Sequence, residues 1–243
     1  ASGYEWSKIE DELAIDHTVY TVDLLGCGRS DKSSITYTNF VYVQMISDFI
    51  KKIIGQKTDV IASGFSGSFV TMACHNEKEL FNKIMLVNPP SLTQLKQMPN
   101  RKDRLLKAAL EIPIFGTLVY HMIVSRDNIN NLFIEKMYYN PFHVDNQMAD
   151  AYYEAAHKGG YYTRFLYSSL AAKYININIC HALKALDNSI YIVEGETEPN
   201  GKAVTDDYCA SNPAIEVSVL KETKHLPHVE APEAFLEQVK IFF

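Results

Sequence analysis

Ile61-Ala62-Ser63-Gly64-Phe65-Ser66-Gly67-Ser68-Phe69 sets one serine, Ser66, between two glycines at the end of an apolar run. An apolar strand over Asp59 to Ala62, then Gly64 to Ser68, then a helix-forming stretch gives the order strand, tight turn, helix. A turn of this kind strains the backbone and presents a serine hydroxyl at the edge of a sheet, so its neighbours must be small. Ser68 stands where the common pattern has a further glycine. Alone, the pentapeptide also reads as an ordinary Gly/Ser turn, and Ser66 gains meaning only from partners elsewhere.

A serine hydroxyl is a weak nucleophile at neutral pH and needs a base, which in turn needs an orienting acid. His225 supplies the base candidate, in Lys224-His-Leu-Pro-His-Val-Glu-Ala-Pro-Glu-Ala-Phe235, after the last expected strand and before a closing helix. The acid belongs at the carboxyl end of the strand Ser189 to Glu194, where Glu194, Glu196 and Glu198 compete. A carboxylate that reaches a histidine across the sheet edge sits on the loop, which disfavours Glu194. Both loops fall at the carboxyl edge of a parallel sheet, where such folds bind ligands.

Further out, Trp6, Ile9 and Leu13 lie at helical spacing in Tyr4 to Ala14, and Val19 to Leu25 reads as a buried strand. Tyr37 to Ile54 is an amphipathic helix closed by Gly55, Lys83 to Asn88 is a short strand stopped by Pro89-Pro90, and Ile215 to Lys221 precedes a helix over Pro232 to Phe243. Near-continuous apolar strands alternating with helices predict an α/β domain with a mainly parallel sheet covered on both faces. Between Ser91 and Leu186 the pattern turns helical, with Arg101 to Glu111 and Asn146 to His157 the clearest stretches. The expected division is a core of residues 1–91 and 187–243 and a helical cap of residues 92–186. The cap is rich in aromatics, among them Tyr138, Tyr152, Tyr153 and Tyr167, which pack its own core or line a pocket above Ser66.

Taken together, Asp23-Leu-Leu-Gly-Cys-Gly-Arg-Ser-Asp31, the Gly64 to Ser68 turn and the His225 to Phe235 ending resemble the α/β-hydrolase fold family, with its Asp-x-x-Gly-x-Gly-x-Ser loop, nucleophile elbow and His-x-x-x-x-Glu-x-Pro-Glu-x-Phe ending. The resemblance implies the α/β-hydrolase fold with a helical cap insertion. The family's acid lies three residues after the glycine closing its strand, here Glu198, although aspartate is the commoner residue. It thereby implies a triad of Ser66, Glu198 and His225 and an oxyanion donor at the Gly67 N–H. The implied reaction is cleavage of a carboxylic ester or related small acyl substrate through an acyl-enzyme, without cofactor. The same fold also supports carbon–carbon bond hydrolysis, amide or peptide cleavage, lyase chemistry and non-catalytic ligand binding. The family's second oxyanion donor and the strand that carries it have no counterpart here. A segment upstream of Ala1 is therefore expected to complete the sheet beside Val19 to Leu25.

The 243 residues and 47% hydrophobic content can fill a large core, and a net charge of -6 speaks against nucleic acid or an anionic membrane as partner. Cys27, Cys74, Cys180 and Cys209 show no CxxC spacing, which argues against zinc or a disulfide framework and fits a reducing, cytoplasmic setting. Pro227 breaks any regular face for His225, His228 and Glu230, so no metal is expected there. Gly26-x-Gly28 is too short for a dinucleotide fingerprint, and Asp23 and Arg29 are read as structural.

Overall fold

A computed structural model of the chain describes residues 2–243. The longer helices are α1 (Asn39–Phe49), α2 (Phe65–Asn76), α3 (Arg101–Glu111), α4 (Pro113–Ile123), α5 (Asn146–His157), α6 (Arg164–Ala171), α7 (Gly201–Ser211) and α8 (Pro232–Phe242). The strands are β1 (Thr58–Ser63), β2 (Phe81–Val87), β3 (Ile190–Gly195) and β4 (Glu216–Leu220). The chain divides into two compact units, one of residues 39–98, 176–227 and 233–243 and the other of residues 1–38, 99–175 and 228–232.

The first of these units is built on a parallel sheet in the order β1-β2-β3-β4. Ile84 to Val87 of β2 and Ile190 to Val193 of β3 are buried, as central parallel strands with covered faces require. Parallel neighbours need crossover connections, which α2 supplies from β1 to β2 and α7 from β3 to β4. Helix α1 packs on α2, with the Tyr42 and Phe69 rings stacked 4.8 Å apart. It continues as a π-helical turn over Ile50–Ile54 and is closed by Gly55 in the left-handed region, φ 72°.

The other unit is helical. Asn100 begins α3 with a capping box: its side chain accepts from the Lys102 and Asp103 N–H groups, and the Asp103 carboxylate accepts from the Asn100 N–H. Pro113 lacks the donor needed to continue α3 and opens α4 instead, so the two helices meet at a 95° bend. No single helix among the described residues is long and apolar enough to cross a membrane, and α3 with α4 meets that test only as this bent pair. The aromatics of this segment largely pack on one another. The Phe133 ring lies 5.7 Å from Tyr138 and 4.9 Å from Tyr152, and Tyr120 lies 6.0 Å from Tyr167. The Asp23 carboxylate accepts from the Gly3 and Arg29 N–H groups, tying the glycine-rich loop to the start of the chain as a structural aspartate.

Two expectations are corrected. Val19 to Leu25 is not a strand: it joins no sheet, and Val19, Tyr20 and Val22 are exposed. An alternation of apolar residues becomes a strand only where a neighbouring strand accepts its backbone hydrogen bonds, and these residues belong to the helical unit. The described sheet holds β1 to β4 as consecutive neighbours. The helical periodicity of Tyr4 to Ala14 resolves into two short pieces, a 3-10 turn over Gly3–Trp6 and a helical turn over Glu10–Leu13.

Candidate active site

Because the strands are parallel and in register, the loops after β1, β3 and β4 leave from the same edge of the sheet. Ser66 follows β1, Glu198 follows β3 and His225 follows β4, all in the sheet-bearing unit.

The turn after β1 differs from the sequence expectation in its register. β1 runs to Ser63 and α2 begins at Phe65, so the change of direction falls on Gly64, with φ 56° and ψ −131°. Only glycine adopts such a conformation at low cost. Ser66 lies beyond the bend, in the first turn of α2, and its Oγ donates to the Ser63 carbonyl at 2.6 Å. The Gly67 N–H, expected as an oxyanion donor, donates to the Gly64 carbonyl at 3.1 Å. The helix starts at Phe65, before the serine, so the apex falls on Gly64, two residues ahead of Ser66.

His225 and Glu198 do meet. The imidazole Nδ1 lies 3.1 Å from Glu198 Oε1 and 3.2 Å from Oε2, with both side chains mostly buried. A neutral imidazole that donates from Nδ1 keeps its other nitrogen, Nε2, as an acceptor, the form a general base needs. The competing carboxylates have other work. Glu196 Oε2 accepts from the Glu222 N–H at 2.9 Å and closes the turn after β4. Glu194 is buried and accepts from the Thr205 hydroxyl at 3.0 Å. Burial pushes the Glu194 carboxyl above its usual range, against the smaller opposing pull of the Thr205 bond.

Asn88 holds these loops together. It is buried, directly follows β2 and has a positive φ of 42°. Its Oδ1 accepts from the Gly195 N–H at 3.0 Å, and its Nδ2 donates to the carbonyls of Lys224 at 2.8 Å and His225 at 2.9 Å. One side chain thus joins the end of β2 to the start of the acid loop and to the histidine loop. The histidine loop approaches so closely that a Cβ on Gly195 would lie 1.8 Å from the Lys224 carbonyl oxygen. Asn88 did not stand out as a site residue in the sequence. Its signal is an asparagine, a residue that tolerates positive φ, between an apolar strand and Pro89-Pro90.

The His225, His228 and Glu230 string is divided among separate tasks. His228 is buried, stacks on Trp6 at 4.3 Å and faces the Glu5 carboxylate at 3.8 Å, while Glu230 accepts from the Tyr139 N–H at 2.6 Å. Cys27, Cys74, Cys180 and Cys209 are free thiols.

The sequence profile of the alpha/beta hydrolase family matches residues 1–238. No curated protein matches the chain. Among solved structures, a bromoperoxidase from Bacillus anthracis aligns with TM-score 0.77 at 12% identity, covering 99% of this chain and 87% of that one. The 2-hydroxy-6-oxo-6-phenylhexa-2,4-dienoate hydrolase of Rhodococcus sp. strain RHA1 aligns with TM-score 0.76 at 17% identity, covering 100% and 85%. A thermophilic esterase from Thermogutta terrifontis aligns with TM-score 0.75 at 13% identity, covering 99% and 84%. At these identities the likeness is one of fold, and the chemistries named are various.

Proposed function

The chain belongs to the alpha/beta hydrolase family, and from that premise we propose that it hydrolyses a carboxylic ester or related small acyl compound, with His225 as the base and Glu198 as the acid that orients it. The observation that carries this reading is the contact of His225 Nδ1 with both Glu198 oxygens, at 3.1 and 3.2 Å. Glu198 fixes the tautomer and balances the positive charge that grows on the ring as it takes a proton. Nε2 removes that proton from the attacking oxygen and returns it to the leaving group, so no cofactor enters the reaction. In the serine route implied by the sequence, Ser66 Oγ attacks and the Gly67 N–H holds the oxyanion. Both groups must then exchange their present partners, the Ser63 and Gly64 carbonyls, for substrate and base.

Hydrolysis of p-nitrophenyl acetate by the purified chain tests the reading. His225→Ala is expected to lower kcat/KM by about a hundredfold or more. Equal activity in the folded variant would remove His225 as the base and the reading with it.

A second reading, a member that binds a ligand without turning it over, is favoured by one observation: the apex of the turn is a glycine with no nucleophilic side chain. Saturable binding of an acyl compound without hydrolysis, unchanged by His225→Ala, would select it.

A further inference from the structure

The base pair of the proposed hydrolase needs an attacking oxygen, and the backbone of the turn after β1 shows where that oxygen belongs. In a strand-turn-helix elbow the nucleophile occupies the strained residue at the apex, because only there does the side chain project from the sheet edge. That residue is Gly64, between the last residue of β1, Ser63, and the first of α2, Phe65, with φ 56° and ψ −131°. A Cβ on Gly64 would meet no atom within 4 Å, so the apex faces open space.

The apex is also tied to the base. The Gly64 N–H donates to the Val87 carbonyl at 2.9 Å, and the next residue, Asn88, donates to the His225 carbonyl at 2.9 Å. Gly64 and His225 therefore hang from consecutive residues at the end of β2. Ser66, by contrast, donates its hydroxyl hydrogen bond to the Ser63 carbonyl at 2.6 Å, and a backbone carbonyl is too weak a base to activate a hydroxyl.

We propose that Gly64 occupies the nucleophile position of the elbow, that the attacking oxygen is water over Gly64, and that no acyl-enzyme forms. The inference rests on the reading of His225 and Glu198 as a base pair. Water's oxygen bonds to the acyl carbon as His225 Nε2 takes one of its protons, and the carbonyl electrons move to oxygen. The Phe65 N–H, first in α2 and therefore without an intrahelical acceptor, faces that oxyanion as the donor after the apex. The tetrahedral adduct collapses, the bond to the leaving oxygen breaks, and that oxygen takes the proton from Nε2. One water is consumed, an acid and an alcohol are released, and the imidazole is restored.

The test treats wild type and Gly64→Ser with a fluorophosphonate, maps any adduct by mass spectrometry, and confirms each fold by circular dichroism. Wild type is expected to carry no serine adduct and to show no stoichiometric burst with p-nitrophenyl acetate. Gly64→Ser is expected to be labelled at residue 64, with labelling falling about tenfold or more when His225→Ala is added. An adduct on Ser66 in wild type, a burst, or no label on a folded Gly64→Ser overturns the proposal. Should the extra strain unfold Gly64→Ser, the wild-type adduct map and burst decide alone. A wild type that hydrolyses nothing sinks the hydrolase reading and the water route with it, yet labelling of Gly64→Ser would still assign position 64. The two failures are therefore distinguishable.

Discussion

Asn88 Nδ2 donates to the His225 carbonyl at 2.9 Å from a residue held at φ 42°, so the end of one strand fixes the backbone of the base on another loop. Asn88→Gly tests this without adding strain, since glycine accepts the same φ and removes only the three bonds. It is expected to cost about 1–3 kcal/mol in urea unfolding and to shift the His225 ring signals in NMR titration. Asn88→Asp places an acceptor against two carbonyls and is expected to cost more.

Glu198→Gln and Glu196→Gln separate the two loop carboxylates. Glu198→Gln removes the charge facing the imidazole and is expected to lower kcat by roughly a hundredfold or more. Glu196→Gln keeps a carbonyl oxygen for the Glu222 N–H, and is expected to change kcat less than about threefold and stability by under about 1 kcal/mol. Ester hydrolysis and thermal melts of both variants give the comparison.

Gly195→Ala would drive a methyl into the Lys224 carbonyl, 1.8 Å from the Cβ position. Backbone cannot move aside as a side chain can, so the histidine loop must shift, at an expected cost of about 2–4 kcal/mol. Loss of hydrolysis in a variant that still melts cooperatively would show that the loop moved before the sheet failed.

Glu5 makes the helical unit sensitive to acid. Burial, the largest influence, pushes its carboxyl up, but the opposing interactions, led by the facing His228 ring and including the Tyr152 hydroxyl bond, outweigh it and bring the pKa down to about 2. A carboxyl whose pKa is lower in the folded state contributes stability above its unfolded value of 4.5, and that stability is lost as pH falls from there toward 2. Glu5→Gln is expected to lower stability at pH 7 by about 2–4 kcal/mol and to flatten the acid limb of the stability curve between those values. Denaturant unfolding from pH 7 to pH 2.5 measures both effects.

Local pattern made much of this protein legible. The apolar runs of β1 to β4, the capped helix over Arg101–Glu111 and the Pro232 helix are visible because periodicity and end signals act over a few residues. That a carboxylate on the loop after β3 would meet His225 was foreseeable from chain order along a parallel sheet, and the family resemblance pointed to Glu198 among the three candidates. Val19 to Leu25 misled because a strand is a property of two segments, and one segment cannot show that its partner is absent.

The sequence by itself determined the alternation of strands and helices and which loops share the sheet edge, since these follow from periodicity and chain order. Its Asp23 to Asp31, Gly64 to Ser68 and His225 to Phe235 motifs carried the resemblance to the family. The tertiary structure decided which carboxylate faces His225, through turn bonds that occupy Glu194 and Glu196 elsewhere. It also decided where the turn bends. Ser66 and Gly64 lie two residues apart in one motif, and only the hydrogen-bonded end of β1 at Ser63 and the start of α2 at Phe65 assign the strained position to the glycine.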